Sequence, residues 1–156
     1  MDVREAKQSD LNELVSLFEE LNEEHHEVLP ERFRKAKREN IEWMLFSIFG
    51  NSNAKIFVVE EENIVGFAHT TVEEVRENPL FEKRKYVWIH HLIIKNDARN
   101  RGAGKALVEK ITGWANYVGA TTIELTVWEF NGSALQFYEN LGFRTLNRHL
   151  IRHLDR

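Results

Sequence analysis

The 156-residue sequence contains no cysteine and only two prolines. Without cysteine the chain has no disulfide, no zinc–thiolate site and no cysteine nucleophile. It also has no apolar run long enough to span a bilayer and no N-terminal signal-peptide pattern, so we expect a cytoplasmic protein that does not act on membranes. The net charge of −4 disfavours nucleic acid as a partner.

The histidines do not form a recognisable set of metal ligands. His25 and His26 are adjacent, but no further histidine or carboxylate follows at a spacing that completes a site. His149 and His153 are separated by one helical turn, but they lie in a segment whose pattern predicts a strand. We therefore expect no bound metal.

A short cationic stretch with two glycines is the most informative part of the chain. It reads Arg99-Asn100-Arg101-Gly102-Ala103-Gly104-Lys105. An apolar run over residues 86–94 precedes it, and apolar residues at helical spacing follow it. Glycines at such a strand-to-helix junction allow a sharp turn, and the first N–H groups of a helix attract anions. The stretch therefore predicts a phosphate or pyrophosphate site.

Two common phosphate-binding loops do not match this stretch. A Walker loop has four residues between its glycines and a serine or threonine after its lysine, whereas here one residue separates the glycines and Ala106 follows Lys105. A dinucleotide-binding fingerprint requires a third glycine where this chain has Leu107. These mismatches disfavour a nucleotide hydrolase. Tight binding of magnesium-ATP is the observation that would support that hypothesis again.

Hydrophobic periodicity predicts a single α+β domain, residues 1–156, with a mixed sheet. The first helix begins at Leu11, with Ser9 or Asp10 as its cap and Asp10 and Glu13 forming a capping-box-like pair. The predicted strands cover residues 3–6, 55–59, 64–72, 85–94, 122–128, 143–146 and 149–154. The helices are expected from 11 to the Leu29-Pro30 stop, over 31–49, from the glycine stretch to 118, and over 131–141.

A second pattern lies downstream, Asn131-x-x-Ala134-x-x-Phe137-Tyr138-x-x-Leu141-Gly142-Phe143. The pattern Arg99-x-x-Gly102-x-Gly104 lies upstream of it, at the spacing expected for the family. Together the two patterns resemble the paired signatures of the GNAT superfamily of acetyl-CoA-dependent N-acetyltransferases. The resemblance covers nearly the whole chain. It implies a GNAT-like fold, in which a central mixed sheet of about seven strands has splayed parallel central strands and about four flanking helices.

The resemblance implies that acetyl-CoA lies between the splayed strands 86–94 and 122–128, and that the acceptor enters from the other side. The pantetheine arm would pair with the strand segment Leu92-Ile93-Ile94, and the pyrophosphate would bind at Arg99, Asn100, Arg101, Gly102, Ala103, Gly104 and Lys105. Asn131 would contact the cofactor arm. Tyr138 would lie near the sulfur and donate a proton or hydrogen bond to the leaving thiolate.

A general base would deprotonate the acceptor amine, and His90 is the first candidate because some family members use a histidine at this position. With regular alternation His90 shares a strand face with Leu92 and Ile94, and His91 packs under a helix on the other face; a bulge would exchange the two. The glutamate of some peptide-acetylating relatives is Thr126 here. Glu124, Glu129 and the absence of a dedicated base remain alternatives.

The acceptor is expected to be a primary amine, with cationic amines such as polyamines, aminoglycosides or peptide amines favoured. Residues 11–30 carry several glutamates and no lysine or arginine, and Glu24 and Glu27 are candidates for an acidic lip. Phe33, Trp128 and Phe130 are candidate walls of the acceptor pocket. A homodimer is a candidate assembly, and a non-catalytic acyl-CoA-binding or protein-interaction module is the alternative function.

Overall fold

A computed structural model describes residues 1–156 of the protein, which form five strands and four α-helices. The strands are β1 (Asp2–Glu5), β2 (Ala54–Glu60), β3 (Ile64–Val75), β4 (Arg84–Ile94) and β5 (Thr122–Glu124). The helices are α1 (Leu11–Val28), α2 (Arg38–Ile48), α3 (Ala103–Tyr117) and α4 (Gly132–Asn140). No helix combines the length and the apolarity that crossing a membrane requires.

The strands form one mixed sheet in the order β1-β2-β3-β4-β5. The first three junctions are antiparallel, and β4 and β5, which α3 connects, are parallel. The predicted mixed sheet is thus confirmed. The count of about seven strands is wrong, because residues 143–146 and 149–154 form no strand. The apolar side chains of this terminal segment stay exposed, so pairing there would gain little from burial.

Both faces of the sheet are covered by helices. Neighbouring strand residues point to opposite faces, so that Phe57 packs in a cluster with α3 while Val58 packs in a second cluster with α1 and α2. Leu107 and Ile111 of α3 are fully buried in the first cluster. The helix that follows the glycine stretch is therefore fixed to the sheet by its apolar face.

Helix α2 begins at Arg38 rather than at residue 31, because side chains of α1 hold residues 33–36 in an irregular, non-helical conformation. Asn22 donates to the carbonyl of Arg34 at 2.9 Å and accepts from the N–H of Ala36 at 2.8 Å. His26 Nδ1 lies 2.6 Å from the carbonyl oxygen of Phe33. These bonds satisfy backbone groups that a longer helix would have paired internally.

The predicted capping box at the start of α1 is wrong. The Asp10 carboxylate accepts bonds from the Arg4 guanidinium at 2.8 Å and from the Lys7 N–H at 2.7 Å, outside α1. Glu13 accepts the N–H of Ile64 at 3.1 Å instead of closing a box. Tertiary partners thus replace the local ones that the sequence pattern favoured.

The chain consists of two compact units, residues 1–126 and residues 127–156. The first holds the sheet, α1, α2 and α3, and the second holds α4 and the C-terminal segment. The expectation of one domain over residues 1–156 stays a prediction.

Candidate active site

Strand β4 contains a bulge at His90. Leu92 pairs with Ala68 and His91 pairs with His69, but the next pair is Ile89 with Thr70, so His90 is an extra residue that faces no partner in β3. An extra residue reverses the alternation of side chains along a strand. In agreement, the residues that pack with α3 are odd-numbered before the bulge and even-numbered after it: Val87, Ile89, Leu92 and Ile94.

The bulge places His90 and His91 on one face. The ring of His69 stacks on that of His90 with centroids 4.4 Å apart and lies 5.9 Å from that of His91. Phe18 of α1 meets His91 edge-on at 4.9 Å. The prediction that His91 packs under a helix is therefore confirmed. The predicted face of His90, shared with Leu92 and Ile94, applies only to a strand without a bulge. The structure has the bulge that the sequence left open as the alternative, and it places His90 on the face of His91.

The parallel strands β4 and β5 separate just before the bulge. They pair at Tyr86–Thr122, Val87–Ile123 and Trp88–Glu124, and β4 then continues alone to Ile94. An early end of the pairing is what the predicted splay of the central strands requires. Strand β5 itself is shorter than predicted, because it ends at Glu124 rather than at residue 128. The side of β4 that faces away from β3 is consequently an open sheet edge over residues 89–94. Such an edge can hydrogen-bond an extended, amide-containing ligand.

The glycine stretch turns the chain from the end of β4 into α3. Asn100 and Gly102 have left-handed backbones, with φ of 62° and 90°. Gly102 caps α3 with no side-chain hydrogen bond, and the first turn of the helix has no acidic residue. The first N–H groups of α3 are thus left for an external acceptor. This arrangement fits a phosphate group.

Acidic residues of the first unit already hold part of this loop. The Arg99 guanidinium donates to the carbonyl of Ile94 at 3.0 Å and to the Glu24 carboxylate at 3.2 Å. One turn earlier on α1, Glu20 accepts the N–H of Asn96 at 2.8 Å. Arg101 lies 3.4 Å from the Glu61 carboxylate. The charge of Glu24, one residue of the expected acidic lip, is therefore paired with the loop.

The remaining candidates for acceptor binding have the following positions. Glu27 is exposed in the last turn of α1. Phe33 stacks on His25 with ring centroids 4.7 Å apart, beyond the end of α1. In the second unit, Trp128 and Phe130 stack on each other at 6.1 Å and are partly exposed.

His90 belongs to a hydrogen-bonded chain that sequence reasoning missed. Its Nε2 lies 2.8 Å from the Thr71 hydroxyl, which donates to the Glu73 carboxylate at 2.8 Å. Thr71 and His69 are polar residues within the apolar strand β3, and this was the available signal. Their significance depends on the β3–β4 register, which the sequence does not show.

The histidines of this face are held neutral. Burial, together with a smaller contribution from the neighbouring imidazoles, lowers the pKa of His69 to about 3 and that of His91 to about 4. Burial also lowers the pKa of His90, while the Glu73 carboxylate opposes that shift. His90 is the exposed member of the group. It is therefore a neutral imidazole accessible from solvent at neutral pH, as a general base must be.

Tyr138 and Asn131 lie in the second unit. Tyr138 is buried, with the rings of Phe137 and Phe143 at 5.0 and 5.4 Å, and burial raises the pKa of its hydroxyl to about 12. The side chain of Asn131 accepts the N–H of Ala134 at 3.2 Å and so caps α4. Across the chain, no group of three or more histidines, aspartates and glutamates is arranged to hold a metal ion.

The sequence model of the acetyltransferase (GNAT) family matches residues 14–143. The chain belongs to this family. YhfO of Bacillus subtilis, described as an uncharacterized N-acetyltransferase, is 28% identical over 151 residues, which are 92% of this chain and 89% of YhfO. An uncharacterized N-acetyltransferase of Methanocaldococcus jannaschii is 40% identical over 62 residues. That match spans 40% of this chain and 27% of the archaeal protein's own length.

Solved structures of other proteins share the GNAT fold. A mutant of the BH1408 protein from Bacillus halodurans superposes with a TM-score of 0.95 at 24% identity, and the alignment covers 99% of each chain. Aminoglycoside N-acetyltransferase AAC(6')-Iy in complex with CoA has a TM-score of 0.78 at 16% identity, over 98% of this chain and 93% of the other. At these identities the likeness shows the fold alone.

Proposed function

We propose that this GNAT-family protein transfers the acetyl group of acetyl-CoA to a primary amine. The observation that carries the proposal is the continuity of two surfaces in the first unit. The open edge of β4 over residues 89–94 is followed, after the short segment 95–102, by the N-terminus of α3, which no side chain caps. Acetyl-CoA has the matching parts in the same order, an extended arm with two amides followed by a pyrophosphate.

In this proposal the backbone of Leu92, Ile93 and Ile94 binds the pantetheine arm. The N–H groups of residues 100–105 bind the pyrophosphate, and Arg99, Arg101 and Lys105 supply positive charge near it. The proposed contact of Asn131 with the cofactor arm adds to its capping of α4. A comparable ligand is present in one relative of the same fold, since AAC(6')-Iy was crystallised with CoA.

The proposed chemistry is direct attack of the amine nitrogen on the thioester carbonyl carbon. The new C–N bond forms, the C–S bond breaks, and the proton of the amine goes to His90. The leaving thiolate takes a proton or hydrogen bond from the Tyr138 hydroxyl. Since burial raises the pKa of Tyr138 to about 12, that hydroxyl keeps its proton at neutral pH and remains a donor.

We further propose a cationic acceptor, with Glu27 attracting it and Phe33 and Trp128 contacting its apolar part. Glu27 and Glu23 are exposed carboxylates on α1. Glu73 places a further negative charge beside His90. Negative potential of this kind attracts ammonium groups. The aminoglycoside N-acetyltransferase of the same fold acts on such a polycationic amine, which supports this class of acceptor.

A homodimer in the cytoplasm completes the proposal. Trp43 and Phe46 of α2 lie nearly one turn apart and are 74% and 51% exposed, which is an apolar surface suited to a second copy. Light scattering on the purified protein measures the mass directly, and cell fractionation measures the location. A monomer across the micromolar range would contradict the dimer without affecting the proposed reaction.

Thermal unfolding with acetyl-CoA, CoA, ATP and NAD tests the proposal. A ligand at about a hundred times its Kd stabilises the fold by about 2.7 kcal/mol. We therefore expect acetyl-CoA and CoA to raise the Tm, and ATP and NAD to leave it unchanged. Lys105→Ala should reduce this shift, whereas the matched control Lys110→Ala, an exposed lysine later on α3, should not. A shift with ATP or NAD and none with CoA would contradict the proposed site.

A screen of primary amines that follows thiol release then tests turnover. We expect release that depends on both acetyl-CoA and an amine. Binding of acetyl-CoA without turnover on any amine would instead favour a non-catalytic acyl-CoA-binding module.

A further inference from the structure

Three side chains from β3 and β4 form a linear hydrogen-bonded chain, His90–Thr71–Glu73. The His90 Nε2–Thr71 Oγ1 and Thr71 Oγ1–Glu73 Oε1 distances are both 2.8 Å. Thr71 is 7% exposed and paired with Trp88 in the sheet, so its hydroxyl has little freedom to find other partners. Glu73 lies two residues further along β3, on the same strand face as Thr71.

The chemistry of these groups fixes the direction of both bonds. A carboxylate only accepts hydrogen bonds, and a threonine hydroxyl has a single proton. Because the Thr71 hydroxyl donates its proton to Glu73, its oxygen must accept the bond from His90. The donor is then the Nε2–H of the imidazole. In a neutral ring this leaves Nδ1 with the free lone pair.

We propose that Thr71 and Glu73 are positioning residues that hold His90 as its Nε2–H tautomer, so that Nδ1 receives the proton of the acceptor amine. This inference rests on the proposed function, in which His90 is the base. The proton moves from the amine nitrogen to Nδ1 as the C–N bond forms. The Nε2–H stays in place, and the Glu73 charge stabilises the resulting imidazolium through Thr71.

The surroundings of His90 make Glu73 the charge that matters. His69 of β3 stacks on the His90 ring, and His91 follows it in β4; burial keeps both neutral, with pKa values of about 3 and 4. Helix α1 contributes the apolar ring of Phe18 against His91, and its His25 also has a lowered pKa. Glu73 is the carboxylate that raises the pKa of His90.

Nitrogen-15 NMR of the histidine rings tests the tautomer without reference to activity. We expect His90 to show a protonated Nε2 and an unprotonated Nδ1 above its pKa. Thr71→Val keeps the side-chain shape but removes the hydroxyl, so the pKa of His90 should fall and an Nδ1–H fraction should appear. Thr71→Ser should restore the wild-type spectrum. A wild-type ring with Nδ1–H, or a Thr71→Val spectrum identical to wild type, would overturn the inference.

The pH dependence of turnover gives the kinetic test with Glu73→Gln. Removal of the negative charge disfavours the imidazolium, so the acidic limb of kcat/KM should move to lower pH and kcat should fall by about tenfold or more. The matched control is Glu74→Gln, the same change on the next residue, whose more exposed carboxylate lies 3.4 Å from Lys85. We expect Glu74→Gln to have the same acidic limb of the kcat/KM profile as wild type and the same kcat.

Two outcomes would refute this role of Glu73. A raised KM for the amine with unchanged kcat and limb would make Glu73 a binding residue for the acceptor. An equal effect in Glu73→Gln and Glu74→Gln would make it one of several general surface charges. If no amine is acetylated, the proposed function fails, while the NMR spectra still decide the tautomer and its dependence on Thr71.

Discussion

Substitution of Gly66 by alanine is predicted to disturb both the sheet and the loop that follows β4. Gly66 in β3 pairs with Ile94, the last residue of β4. A Cβ at this position would lie 2.6 Å from Ile94 Cδ1 and 2.7 Å from the carbonyl oxygen of Ile93. The Ile94 side chain can rotate away, but the Ile93 carbonyl belongs to the backbone. The strands must therefore move apart where β4 leads into the glycine stretch.

The size of the effect follows from these contacts. Overpacking of a well-packed interior costs about 1–3 kcal/mol, and a backbone clash belongs at the upper end. For a protein of this size, about 3 kcal/mol lowers the Tm by roughly 6–12 °C. Since the Ile94 carbonyl accepts the Arg99 side chain, we also expect weaker binding of acetyl-CoA at a temperature where the variant is still folded.

Urea unfolding of matched glycine-to-alanine variants measures the effect. Gly113→Ala is the control: Gly113 is exposed within α3 and a Cβ there meets nothing within 4 Å, so we expect a stabilisation of about 0.5–1 kcal/mol. Gly102→Ala has equal space but a φ of +90°, and should cost about 1–2 kcal/mol. A Gly66→Ala variant as stable as wild type, or a Gly113→Ala variant equally destabilised, would refute the reasoning from contacts.

Three further predictions concern other parts of the chain. Tyr138→Phe should lower kcat by about a hundredfold with the Kd for acetyl-CoA unchanged, and unaltered turnover would remove Tyr138 from the mechanism. The Arg4 guanidinium lowers the pKa of Asp10 below 3.8, so the stability that the ion pair confers should be present above that pH and lost as the pH falls through the folded-state value. Urea midpoints should show this loss for wild type and a flatter profile for Asp10→Asn. Since Arg4 keeps its partner Glu60 in that variant, the substitution should cost about 1.5–2 kcal/mol at pH 7, and parallel profiles would contradict the prediction. Asn131→Ala should cost about 1 kcal/mol through loss of the α4 cap, measured by the same unfolding, whereas Ser133→Ala should be near neutral.

Much of the fold could be predicted from the sequence because its signals are local. Alternation located β2, β3 and β4 within a few residues, and helical spacing located α3, whose predicted end at residue 118 lies one residue beyond the observed end at Tyr117. The start of α2 and the cap of α1 could not be predicted in this way. They depend on Asn22 and Arg4, whose partners follow only from the tertiary fold.

The residues of the candidate site likewise differ in whether their signals are local in the sequence or depend on the tertiary fold. The glycine stretch was visible because its conformation and its helix start are properties of a short segment. The bulge at His90 is a property of two strands, since it exists only relative to the β3 register at His69 and Thr70. The pairing of Glu24 with Arg99 joins residues 75 positions apart, so an acidic helix that resembled a lip is in part a support for the loop. The roles of the individual site residues stay predictions.

The bulge in β4 also acts as a frame shift in the sheet. A deletion of position 90 would remove the extra residue and leave every side chain from His91 to Ile94 on its present face, because Thr70 and His69 already pair with the residues on either side of it. Replacement of the residue at that position leaves both frames intact. The side chain at position 90 belongs to neither apolar cluster of the sheet. The residue there can therefore change in evolution without any change in the packing of the core.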